Sequence, residues 1–143
     1  MKTLFTVALL LLSCAVLADE PTFYATKGAP FAKAVRAGDT LYLSGMIGGR
    51  PDGTIPSDFN LQITQLMDNL KARAQELHFA MDDIIKCTVM ISDMNKWQDF
   101  NRIYISYFSP EKLPARSAFG VNGLALGAAA ELECIVYQPQ EAK

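Results

Sequence analysis

Between residues 63 and 77 apolar side chains recur at Ile63, Leu66, Met67, Leu70, Ala74 and Leu77. Steps of three and four gather into one stripe only on an α-helix, so the segment predicts an amphipathic helix with a single face to bury. The flanking segments have a different period. Phe31 to Val35 and Thr40 to Gly45 read as strands joined at Gly38-Asp39 in an antiparallel hairpin, and the loop Gly48 to Asp58, with its turn Pro51-Asp52-Gly53, leads on to the helix. Beyond it, Ile84 to Ile91 is rich in β-branched residues. Trp97, Phe100, Tyr104, Tyr107 and Phe108 then fall largely on one face of a second helix, with Asp93 or Asn95 as its N-cap region and Ser109-Pro110 as its stop. An extended segment from Pro114 to Val121, a glycine-rich stretch to Gly127 and a strand from Ala130 to Val136 close the chain.

Two strands, helix, strand, helix, two strands is an α+β order in which both helices lie on one face of the sheet. Two helices cannot cover the other face as well, so the pattern predicts self-association.

The N-terminus is read apart from the fold. Met1-Lys2-Thr3 precedes an apolar run from Leu4 to Leu12, and Val16-Leu17-Ala18 satisfies the small-x-small rule for a cut before Asp19. Residues 1–18 are therefore expected to be a secretory signal peptide and residues 19–143 a single domain. The expected location is periplasmic or secreted; lipid anchorage at Cys14, through Leu11-Leu12-Ser13-Cys14, is the less favoured form of export. The apolar run is shorter than the roughly 20 residues a membrane-spanning helix needs.

Loss of Lys2 with the leader leaves 12 basic against 15 acidic residues. That scattered, mildly acidic balance disfavours a general nucleic-acid binder, which carries a basic excess or stripe. Cys87 and Cys134 each sit in an apolar strand-like run and read as buried free thiols, although an oxidising compartment permits one bridge. His78, the single histidine, has no ligand-spaced partner and reads as a surface residue at a helix end, so no metal site is expected. No G-x-S-x-G elbow, phosphate loop or dinucleotide fingerprint occurs, and no cofactor is implied.

Several polar positions sit where a core has no need of them. Arg116, in Pro114-Ala115-Arg116-Ser117, has few local acidic partners, and its planar fork of donors suits a carboxylate. The ordinary alternative is a surface arginine or structural ion pair. Glu131 and Glu133 alternate with Leu132, Cys134 and Val136, which places both carboxylates on one face, about 7 Å apart at the strand rise. Either is a candidate acid/base, against the plainer reading of a solvated strand face. Ser44-Gly45 combines a strand-terminal hydroxyl with a backbone open to close approach, or marks only a turn or bulge.

Together these segments resemble the RidA (YjgF, or Rid) family of enamine/imine deaminases from about Gly28 to Val136. The resemblance rests on Gly28-Ala29-Pro30-Phe31, Leu43-Ser44-Gly45, Lys86-Cys87-Thr88-Val89, and Asp99-Phe100-Asn101 with Tyr104. Its most specific parts are Pro114-Ala115-Arg116-Ser117 and Glu131-Leu132-Glu133-Cys134. It implies a chorismate-mutase-like α+β fold assembled as a homotrimer, with sites in the clefts between subunits. It also implies cofactor-free hydrolysis of reactive enamines and imines, such as 2-aminoacrylate, to a 2-keto acid and ammonia. By position, Arg116 holds the substrate carboxylate and Glu131 positions water and moves its proton, while Phe31, Ser44, Gly45, Asn101 and Pro114 line the substrate.

Phe31 stands where the family's deaminases commonly carry tyrosine, and Ala118 where they often carry cysteine. The missing hydroxyl leaves a second expectation, a non-catalytic trimer binding small carboxylates in the same clefts. RNA cleavage, a label attached to some relatives, is disfavoured by export and net acidity.

Overall fold

The computed structural model describes residues 20–140; the leader, its cleavage site and Cys14 lie outside the described residues. In chain order it contains β1 (Thr22–Ala25), β2 (Ala32–Ala37), β3 (Thr40–Leu43), β4 (Met46–Ile47), α1 (Phe59–Glu76), β5 (Ile84–Ile91), α2 (Trp97–Ile105), β6 (Ala115–Gly120) and β7 (Ala130–Tyr137). The strands form one mixed sheet in the order β1-β2-β3-β7-β5-β6, with β4 also paired to β7.

Topology accounts for where the helices lie. β4 and β5 are each antiparallel to β7 and hence parallel to one another, and α1 connects them. β5 and β6 are parallel and α2 connects those two. Both crossovers step the same way across the sheet, so the right-handed rule puts both helices on one face, as the sequence pattern predicts. The stripe of α1, Ile63, Leu66, Met67, Leu70 and Ala74, packs there with Phe100 of α2 and Leu41, Ile84, Val89, Leu132 and Val136 of the sheet.

Local chemistry sets the helix ends. α1 starts four residues before the first residue of its predicted stripe because the Asp58 carboxylate accepts from the Leu61 amide at 2.9 Å. It stops where His78 enters the left-handed region at φ 57, and His78 is exposed there, as expected of a helix-end residue. Asp93 caps the 3-10 turn that feeds α2 by accepting from Asn95. α2 ends at Ile105, short of Phe108, because the backbone tightens into three-residue turns ahead of Ser109-Pro110. Gln62 is a buried polar residue that the sequence did not single out. Its amide nitrogen donates to the Pro56 carbonyl at 2.9 Å and its oxygen accepts from the Ala129 amide, tying the loop before α1 to the entry of β7.

The expectation of free thiols is corrected: Cys87 and Cys134 form a disulfide. Each cysteine does occupy an apolar run, yet the β5–β7 register places the two directly opposite one another, with Cα atoms 4.1 Å apart. Cross-strand register is not visible in either segment alone. The sequence pattern predicts neither β1, a four-residue edge strand, nor β4, only two residues long, because both are too short to show a period.

The bond spans 47 residues of chain that include α2, β6 and the entry to β7. Replacing both cysteines by alanine, or reducing the bond, is expected to lower the unfolding free energy by up to about 4 kcal/mol in the chain-entropy view of a loop this long. The sheet should persist, because two small buried side chains remain in the core. Calorimetry with and without reductant checks this, and an unshifted transition would show that the bond adds no stability.

Candidate active site

β7 alternates strictly, with Leu132, Cys134 and Val136 buried toward the helices and Glu131 and Glu133 on the opposite face. Glu131 pairs across to Ile47 on one side and Met90 on the other. Its carboxylate sits against the α-carbon of Gly45, where any β-carbon would overlap Oε1. Glycine is needed at that position for close approach, which is the physical content of the Ser44-Gly45 signal.

Glu131, Ser44, Gly45, Phe31, Ile47, Ala125 and Leu126 line one cavity of about 450 Å³. Its lining is mainly apolar, with the carboxylate as its charged group. The Ser44 hydroxyl donates to the Ala32 carbonyl at 2.6 Å, so toward the cavity it offers lone pairs instead of a proton. Leu126, absent from the sequence reading, stands at φ 56 and is 81% exposed, a strained apolar residue on the cavity wall. Glu133 pairs with Thr88 further along the strand and is not among the cavity's lining residues.

The other half of the expected site lies elsewhere. Arg116 on β6 is registered with Cys87, and therefore faces α2. Its guanidinium carbon lies over two rings of that helix, 4.7 Å from the centre of Trp97 and 4.8 Å from that of Tyr104. Asn101 lies on the same helix between them. Three polar atoms here are buried without a hydrogen-bond partner: Arg116 Nη1, Asn101 Oδ1 and the Tyr104 hydroxyl. Pro114 is buried at the head of β6, two residues before Arg116.

The structure thus groups Phe31, Ser44, Gly45 and Glu131 in one place and Arg116 and Asn101 in another. The two groups are on opposite faces of one chain's sheet, with β5 between their strands. Sequence reasoning placed Trp97 and Tyr104 in a core stripe; their second role could have been suspected only from a nearby unpaired arginine. Among the described residues no three His, Cys, Asp or Glu side chains cluster as metal ligands, and no helix is long and apolar enough to cross a membrane.

A mixed sheet with two helices on one face, a cavity that seats a carboxylate against a glycine on the other, and an unpaired arginine on the edge strand β6 define a small RidA-like α+β protein. The family model for Endoribonuclease L-PSP matches residues 24–138. The chain belongs to that family, which also includes proteins named for RutC and RidA. It is 32% identical over 111 residues to the mouse 2-iminobutanoate/2-iminopropanoate deaminase, covering 76% of this chain and 82% of the relative. It is 35% identical over 112 residues to the RutC family protein YjgH of Escherichia coli (strain K12), covering 78% and 85%. Among solved structures, yeast Mmf1 superposes with a TM-score of 0.76 at 30% identity, over 83% of this chain and 99% of that one.

Two outcomes follow from this geometry. In Gly45→Ala the new methyl group displaces the Glu131 carboxylate from its seat, which a crystal structure of the variant reads directly; an unmoved carboxylate would refute the contact. Burial pushes the Tyr104 phenol up to about 12, against the opposing pull of the Arg116 charge. An unfolded tyrosine ionises near 10, so between about pH 10 and 12 the native state holds the extra proton and stability falls as pH rises. Tyr104→Phe should flatten that fall in urea titrations across the window.

Proposed function

We propose that the protein is an exported hydrolase of 2-imino acids and their enamine tautomers, yielding a 2-oxo acid and ammonia. The observation that carries this reading is the pair of incomplete half-sites, a Glu131 cavity with no cation lining it and an Arg116 with no anion paired to it among the described residues. An imino acid brings complementary groups to both, a carboxylate for the guanidinium and an electrophilic carbon for activated water.

A homotrimer joins the halves, with the Glu131 cavity of one copy facing Arg116 of the next. The sheet face away from the helices supports such association. Phe23, Val35, Tyr42 and Ile135 form one cross-strand row there, and Phe23 is 68% exposed.

In the reaction, Arg116 binds the carboxylate and orients the imine carbon toward a water held by Glu131. As the water oxygen bonds to that carbon, the C=N electron pair moves to nitrogen and Glu131 takes the water's proton. Glu131 returns that proton to nitrogen to give the carbinolamine, then takes the proton of the new hydroxyl as the carbonyl forms and passes it to nitrogen as the C–N bond breaks, so that ammonia departs. The apolar wall of Phe31, Ile47 and Leu126 accommodates the substrate side chain. Phe31 supplies no hydroxyl to the cavity, and this favours one second reading, a carboxylate-binding trimer without turnover.

The disulfide and the leader-like N-terminus both fit an oxidising compartment. Fractionation should recover the bridged protein outside the cytoplasm.

The test generates imines with an amino-acid oxidase and traps the survivors with semicarbazide. The native trimer should accelerate imine loss; Arg116→Ala should abolish the effect, and Glu131→Gln should lower it by roughly 100-fold or more, as for loss of a general acid/base. Mixing the two variants should restore about a quarter of native activity, since each mixed trimer keeps one intact cleft. Full activity in either variant would sink the mechanism. Carboxylate binding without turnover would establish the second reading.

A further inference from the structure

We infer that Trp97 and Tyr104 are positioning residues for Arg116: their two rings hold the guanidinium without an acidic partner, so that its fork of donors stays uncommitted for a carboxylate. This rests on the proposed role of Arg116. Trp97 and Tyr104 are seven residues apart on α2, about 10.5 Å along the helix axis. The Arg116 guanidinium carbon lies 4.7 and 4.8 Å from their ring centres, so the charge bridges the two rings.

The arrangement solves a specific problem. A guanidinium whose Nη1 is buried and unpartnered has lost water without gaining a hydrogen bond. Aromatic faces attract such a cation without consuming its N–H donors. An acidic partner would hold Arg116 equally well, but would occupy the fork meant for the ligand. The rings are themselves braced, since Trp97 stacks on Phe100, Phe100 on Tyr104, and Tyr104 packs against Phe108, with centroid distances of 5.8, 5.7 and 4.8 Å. A four-ring ladder along α2 and the turn that follows it thus fixes the two that touch Arg116. The phenol of Tyr104 stays neutral through the physiological range, so it adds no negative charge that would compete with the ligand.

The test compares Trp97→Leu, Tyr104→Leu and the ring-preserving Trp97→Phe. The first readout is the Arg116 side-chain Nε–H resonance in ¹⁵N spectra, assigned with Arg116→Lys. Ring currents should set it apart from the other arginines in the native protein and in Trp97→Phe, and each leucine variant should return it toward them. The second is calorimetric binding of 2-oxobutanoate, the stable product of 2-iminobutanoate hydrolysis. Its Kd should rise roughly five- to twenty-fold in the leucine variants and stay within about threefold in Trp97→Phe. The third is turnover, in which kcat/KM should fall at least as far as Kd rises in the leucine variants and stay within about threefold of native in Trp97→Phe.

An unmoved Arg116 resonance in the folded leucine variants, or an unchanged Kd, overturns the inference. So does equal damage in Trp97→Phe, which would indicate a packing role only. Should Tyr104→Leu fail to fold, half-buried Trp97 decides the matter alone. Ring-dependent binding of 2-oxobutanoate without turnover of any imine would refute the deaminase reading and leave the positioning role standing.

Discussion

β7 is the strand on which the rest of the molecule depends. It is hydrogen-bonded to β3, β4 and β5, and so joins the N-terminal hairpin region to the two crossover units. Its period-2 alternation does two things at once. Leu132, Cys134 and Val136 supply the core beneath the helices, and Cys134 fixes the strand covalently to β5; the intervening Glu131 emerges on the other face beside β4. A one-residue slip would exchange the two sets, burying both carboxylates and expelling the core. The same register that stabilises the sheet therefore aims the candidate acid/base.

This alternation also explains why one chain keeps Arg116 and Glu131 apart. Arg116 and Glu131 lie on strands separated only by β5, but the pleat sends their side chains to opposite faces. No rotamer of either residue carries it through a sheet. In the proposed trimer a second copy completes the constellation, and the apolar row on the face without helices offers that copy a surface to pack on. The need to cover the sheet and the need to finish the site point to the same solution.

Much of this was legible in residue spacing. The helix stripe of α1, the apolar face of α2 and the strand patterns of β5 and β7 depend on local periodicity, and they were read with end errors set by caps and turns: Asp58 for α1, Ser109-Pro110 for α2. What escaped depended on register between distant segments. The Cys87–Cys134 bond, the Gly45–Glu131 contact and the Gln62 bridge each join residues brought together only by the sheet or by loop packing. Arg116 and Glu131 were visible as chemistry, but their separation onto two faces needed the strand order. Trp97 and Tyr104 were hidden for a different reason, since a ring that packs on a core and a ring that holds a cation share the same helical spacing.

The environment of Arg116 bears on how function and stability are balanced in this fold. The described ion pairs use Lys33, Arg73, Arg102 and Lys112, all at positions where water shares the solvation. Arg116 instead has a donor shielded from water with no acceptor, beside two further orphaned polar atoms on Asn101 and Tyr104. Each unpaired buried group costs on the order of 1–3 kcal/mol, a substantial fraction of the stability of a small domain. Aromatic faces recover part of that cost and leave the hydrogen-bonding capacity unspent. A carboxylate paired with Arg116, as in the proposed site, would meet donors already desolvated and already oriented, so the cost borne by the free protein would become affinity and alignment in the complex.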